Sequence, residues 1–183
     1  SSLADVGSLA PKLSEQARKR KGLVGIHHSE NEREDIKPLI ELNPDFVVHM
    51  CHATDEDLLA LKEANISVVV CPRSNHYFGN RPPLEKMIDL GLDLGFGTDN
   101  GMICSVNILD EIRFTRESYP SIDLHKILEI ACFGLSDMFN KDGTSRYFNP
   151  KLSGWALLSR EAVDNYESIF NPETKVLGAR WRN

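Results

Sequence analysis

Four short apolar runs, beginning at residues 23, 46, 66 and 92, each end abruptly in a cluster of reactive side chains. The first, Leu-Val-Gly-Ile at 23–26, runs into His27, His28, Ser29 and Glu30. The second, Phe-Val-Val at 46–48, runs into His49, Met50, Cys51 and His52. The third, at 66–70, meets Cys71, Pro72, Arg73, Ser74 and Asn75, and the fourth, at 92–97, meets Thr98, Asp99 and Asn100. The unit recurs every 20 to 26 residues, with one helix-like stretch between consecutive runs. That is the rhythm of successive strand–helix units in a parallel sheet. In (β/α) barrels the chemistry gathers at the C-terminal ends of the strands. Here the reactive residue types sit at those ends, so the pattern predicts four parallel, adjacent strands at about 23–28, 45–50, 66–71 and 92–97, and part of an enzyme.

The helices between them can be read from their ends. Residues 11–21 predict a short basic-ended helix stopped by Gly22. Residues 32–42 predict a second, with Pro38 imposing a kink or a late start. Thr54, Asp55, Glu56 and Asp57 open a third with a capping pattern, and Pro82 and Pro83 open a fourth. Two more are expected at 107–118 and 124–138, the latter keeping Leu124, Ile127, Leu128, Ala131 and Leu135 on one apolar face. Residues 1–7 read as a loop or frayed end. From about residue 141 the pattern changes: 141–145 is turn-rich, and 155–158 and 175–181 look like short strands. The expected organisation is therefore 1–140 as strand–helix units and 141–183 as a small β appendage.

A closed barrel needs eight units and about 250 residues, whereas this chain has 183 residues and four units. Its 41% hydrophobic and 26% charged content match a water-soluble globular protein. The net charge of −6 provides no basic footprint for nucleic acid. No apolar run approaches the roughly 18 residues of a membrane span. Cys51, Cys71, Cys104 and Cys132 are widely spaced, without a disulfide framework, which suggests a reducing cytoplasm.

Each cluster alone has two readings. A His at a strand end can hold a divalent metal, and a Glu three residues on can shuttle protons in the same cavity; His27 to Glu30 could equally be a surface loop. His49 and His52 share that ambiguity, and a structural zinc on His49, Cys51 and His52 would crowd its ligands. Gly97-Thr98-Asp99 places a carboxylate where the backbone leaves room for a ligand or metal, although Asp99 could instead cap a helix. Asn75 offers a donor and an acceptor beyond the turn at Pro72.

In order, a His-x-x-Glu strand end, a His strand end, a Cys-Pro-x-Ser-Asn strand end and a Gly-Thr-Asp strand end resemble the amidohydrolase superfamily. The branch most similar holds cytosine, guanine and S-adenosylhomocysteine deaminases and the triazine chlorohydrolases. The resemblance runs from about residue 12 to the C-terminus. It implies the C-terminal half of a metal-dependent (β/α)8 barrel, its strands five to eight, with a remnant of the family's small β-sandwich at 141–183. It implies metal ligation by His27 and Asp99, proton shuttling by Glu30, and water-orienting or substrate-polarising work by His49. Asp99 would also accept a proton from the water, and Asn75 would bind substrate. The implied cofactor is a divalent ion, zinc first and iron also compatible, and the implied substrate is an aminated heterocycle such as a nucleoside, base or triazine.

The chain also departs from the family. The family's first strand supplies a His-x-His pair, and no His precedes His27 here. The Lys-Ala-Asp turn usual in the tail is replaced by Ser153-Gly154-Trp155. The resemblance therefore implies weak metal binding and little turnover for this half alone, with an N-terminal half of the same enzyme, or a second copy, as partner. Two other readings compete. One is a non-catalytic half-barrel scaffold that dimerises. The other is a doubly wound binding module, which should carry a Gly-rich phosphate loop after its first strand; Gly25-Ile26-His27-His28 is not one.

Overall fold

The computed structural model describes residues 2–135, 154–159 and 166–181. Four strands, β1 (Gly25–His28), β2 (Phe46–His49), β3 (Ser67–Val70) and β4 (Leu94–Phe96), form one sheet in the order β1-β2-β3-β4. Every neighbouring pair is parallel. The expected strands are thus present, adjacent and in chain order, each somewhat shorter than its expected span.

The helices are α1 (Leu3–Val6), α2 (Ala10–Lys19), α3 (Ile36–Leu42), α4 (Asp55–Glu63), α5 (Pro72–Tyr77), α6 (Leu84–Asp89), α7 (Ile108–Ser118) and α8 (Leu124–Phe133). Three differ from expectation for local reasons. The N-terminal stretch is ordered as α1 because Ser2 and Asp5 cap it reciprocally. The helix expected from 32 starts at Ile36, where the Asp35 carboxylate accepts from the Lys37 amide at 3.1 Å; Pro38 then falls in the first turn, where its missing N–H costs little. The short helix α5 was not expected at all. Beyond the barrel units, β5 (Gly154–Leu158) and β6 (Val176–Trp181) pair antiparallel. The turn-rich segment at 141–145 and the end of the helix expected to reach 138 lie outside the described residues.

Register explains where the core sits. Ile26, Val47, Val68 and Leu94 are successive partners across the sheet and all are buried. They share one core with Leu39 of α3, Leu58 and Leu61 of α4, Met87 of α6, Ile112 of α7 and Ile127 of α8. The helices therefore cover that face, and each such side chain contributes about 1.5–3 kcal/mol by leaving water. The opposite face, which would look into a barrel, carries His27, Phe46, Val48 and Val69, only partly buried. No described helix is long and apolar enough to cross a membrane.

At the outer edge of β4, Gly134 caps α8, and a Cβ there would stand 2.0 Å from the Leu94 carbonyl oxygen. The Leu135 side chain lies over Gly95, so the chain closes on this edge only because both positions lack a side chain. Gly134→Ala presses a methyl group onto backbone carbonyl oxygens and should cost about 1–3 kcal/mol. A thermal melt unchanged from the unmodified chain would show that the closure is not needed.

Candidate functional site

The two histidines at the end of β1 part company. His27 faces the barrel side, whereas His28 is buried and fastens the following loop. The His28 Nε2 lies 3.3 Å from the Asp35 carbonyl oxygen and its Nδ1 lies 3.0 Å from the Ser29 hydroxyl. The Glu34 carboxylate accepts from the Ser29 amide at 2.8 Å. Arg33 donates two 2.9 Å bonds to Asp57, the residue that completes the Thr54 capping box of α4. The loop carrying Glu30 is thereby tied to the strand before it and to the helix beside it.

His49 is the register partner of His28, not of His27, so simple alternation would leave it on the helix side. Instead His49 and Met50 take left-handed backbone, with φ of 78° and 54°, an uncommon conformation for residues with side chains. The His49 ring comes to rest edge-on against His27, with centroids 4.8 Å apart. Its Nε2 lies 3.5 Å from Glu30 Oε2. His27, Glu30 and His49 each offer a ligand atom, and these atoms all lie within 4.8 Å of one another.

Asp99, at the end of the β4 unit, is also left-handed, with φ of 54°. Its carboxylate accepts a hydrogen bond from the Ser74 hydroxyl. Its charge acts on His27, Glu30 and His49 alike, so it belongs to the same electrostatic environment. Asn75 is fully buried, and its amide nitrogen lies 2.9 Å from His49 Nδ1. Of the site residues expected from sequence, His27, Glu30 and His49 come together, Asn75 joins them through His49, and Asp99 stands outside the group of close ligand atoms, held by Ser74. Of the histidines with two readings, His52 turns away to Asn80, 3.1 Å distant, and Cys51 is buried, its thiol pushed up to about 12 by burial and then by the charge of Glu30.

The surroundings favour neutral forms. Burial, aided by the neighbouring His49, lowers the His27 pKa. Burial lowers that of His49 against the pull of Asp99. Burial raises that of Glu30 despite the nearby His27. Neutral imidazole is the form that binds metal, and a carboxyl held above its ordinary range is suited to carry a proton.

A supporting layer was not expected from sequence. Arg73 bonds to the buried Glu111 of α7 through Nε at 2.7 Å and through its backbone amide at 3.1 Å. Its guanidinium also reaches the Ser105 hydroxyl at 2.8 Å. This clamps the first turn of α5, from which Ser74 holds Asp99 and Asn75 holds His49. The only sequence signal was an Arg beside the Ser-Asn pair. Its partner lies 38 residues away.

The amidohydrolase family model matches residues 11–144. A Methanothermobacter thermautotrophicus protein, named provisionally as an aminohydrolase, is 33% identical over 184 residues, covering 91% of this chain and 46% of that protein. The 5-methylthioadenosine/S-adenosylhomocysteine deaminase of Caldanaerobacter subterraneus is 37% identical over 73 residues, 39% of this chain and 17% of the enzyme. Among solved structures, guanine deaminase from C. acetobutylicum with bound guanine superposes with a TM-score of 0.60 at 21% identity, covering 73% of this chain and 39% of that one. That likeness speaks to the fold, and the four parallel units are part of a (β/α)8 barrel. The chain spans 30–46% of the length of the first relatives it matches. With the family model matched across all four strand–helix units, and reactive side chains gathered at the strand ends, this chain belongs to the amidohydrolase family.

Proposed function

We propose that this chain carries the C-terminal half of the active site of a metal-dependent hydrolase that deaminates an aminated heterocycle. The observation that carries the reading is the convergence of His27, Glu30 and His49, with Asp99 held by Ser74 at the end of the β4 unit. The names of the relatives support the reaction class, with a 5-methylthioadenosine/S-adenosylhomocysteine deaminase among them.

The donor set fits a divalent ion. Half-buried His27 favours its neutral form, and Asp99 supplies a carboxylate; imidazole nitrogen with carboxylate oxygen suits zinc and iron(II). We assign His27 and Asp99 as the ligands from this chain. Bound there, such an ion lowers the pKa of a water toward 7 and so supplies a nucleophile at neutral pH. The protein's own groups do the rest. Asp99, oriented by Ser74, accepts a proton from the attacking water. Glu30, with its raised pKa, gives its proton to the ring nitrogen beside the amino-bearing carbon. It then takes up the hydroxyl proton of the tetrahedral carbon and gives it to the leaving amine, after which the proton held by Asp99 restores it. The balance is water plus an amino-substituted ring carbon giving ammonia and a ring carbonyl. His49 fixes the position of the reacting oxygen through its ring nitrogen.

The partner proposed is the N-terminal half of such a barrel, resting on the half-buried Phe46, Val48 and Val69 face and bringing the His-x-His pair. Residues 141–183, with the β5–β6 pair, are assigned to the appended β-unit. The test is to measure zinc content and ammonia release for this chain alone and co-expressed with the N-terminal half of the Methanothermobacter relative. The substrates are aminopurines, their nucleosides and aminotriazines. The chain alone should bind zinc weakly and show little turnover, and the completed pair should hold one zinc and release ammonia. A folded pair without zinc or turnover on the whole panel would refute the reading.

A further inference from the structure

We propose that Asn75 sets the tautomer of His49, placing its proton on Nε2 and making the ring a hydrogen-bond donor to the cavity. The inference rests on the reading of His49 as a site residue. Asn75 sits in the first turn of α5 with its side chain fully buried, and its amide nitrogen is 2.9 Å from His49 Nδ1. An amide nitrogen can only donate, so Nδ1 must accept. A neutral imidazole has one donor and one acceptor nitrogen, which leaves the proton on Nε2. That nitrogen is buried without a hydrogen-bond partner and lies 3.5 Å from Glu30 Oε2.

The opposite orientation of the amide is less favourable. Asn75 Oδ1 is already buried without a partner. Turning the amide over would put an NH2 group there, and orphaned buried N–H donors are rarer than under-satisfied carbonyl oxygens. The turn itself has little freedom to adjust. The Asn75 amide donates to the Cys71 carbonyl at 2.9 Å, the Asn80 amide donates to the Asn75 carbonyl at 2.8 Å, and Arg73 is locked to Glu111.

The consequence divides the three groups whose ligand atoms lie close together. With Nε2 protonated and Nδ1 engaged by Asn75, His49 has no lone pair to offer a cation, which leaves His27 as the histidine ligand of this chain. Asn75 is thus a positioning residue, acting on the chemistry through a ring that it does not share with solvent.

The test is two-bond 1H–15N correlation NMR of the whole chain labelled with 15N-histidine, at about pH 8, above the ordinary histidine pKa. The His49 signals are assigned by their loss in His49→Gln. In the unmodified chain, Nε2 should show the protonated and Nδ1 the unprotonated shift. Asn75→Asp offers only acceptors toward the ring and should protonate Nδ1. A protonated Nδ1 in the unmodified chain, with the amide oxygen accepting from it, overturns the inference. So does an Nδ1 left unprotonated in a folded Asn75→Asp chain, folding being judged by far-UV circular dichroism. Should that variant not fold, the unmodified spectrum alone decides. The readout needs neither substrate nor metal, so it holds or fails independently of ammonia release.

Discussion

Glu30→Gln is expected to slow ammonia release by the completed barrel about 10²- to 10⁴-fold, the range that general acid–base catalysis usually contributes. The substitution keeps the size and hydrogen-bonding reach of the side chain and removes only its capacity to carry a proton. Glu30 lies within the group of ligand atoms formed with His27 and His49, so the activity loss alone does not separate a proton carrier from a ligand. Zinc content does. A carrier leaves zinc in place, whereas His27→Ala should lose both zinc and turnover. If Glu30→Gln loses zinc in step with activity, Glu30 is a ligand and the proton must travel another way.

The second large effect concerns the clamp behind the site. Arg73→Met strands the Glu111 carboxylate, which is fully buried. Breaking a buried ion pair from one side costs about 3–5 kcal/mol. At about 2–4 °C per kcal/mol for a chain of this size, the melting temperature should fall on the order of 10 °C at neutral pH. The loss should depend on pH in a defined direction. Burial already raises the Glu111 pKa above 4.5, more than the Arg73 bonds lower it, and removing Arg73 raises it further. A carboxyl with a raised folded pKa holds its proton more tightly in the folded state, so its ionisation costs stability as pH climbs above the unfolded value. The deficit of Arg73→Met should therefore be largest at neutral pH and shrink as pH falls toward 4.5. A deficit that is flat with pH would mean that the buried charge is not its source.

The strands were legible because β-branched and apolar runs of three to six residues, cut off by polar clusters, carry their own signal. Most of the candidate site was legible for the same reason: a residue that follows the end of a parallel strand has its location set by the sheet. What could not be read was orientation. Alternation from β2 would place His49 with His28, and only the left-handed backbone at His49 and Met50 brings it to His27. Nothing in the identity of a His and a Met announces that conformation. Nor could Asn75 be matched to His49, or Arg73 to Glu111, because those partners are chosen by packing between elements 26 and 38 residues apart. Helix α5 escaped notice because Pro72 reads as a turn, although proline is equally at home in a first helical turn.

The order in which the sheet is wired also bears on how the protein comes into being. Each strand pairs with the strand that immediately precedes it in the chain, so no pairing has to wait for a distant segment. Pairing with the preceding strand closes a shorter loop than pairing with a more distant one, and a nascent chain leaving the ribosome can build such a sheet one unit at a time. His27, Glu30 and His49 arrive together with β1 and β2, while Asp99 arrives only once β4 has docked. The histidine pair is therefore synthesised before Asn75, which holds His49, and before Asp99, so this half of the site is complete only when β4 has docked.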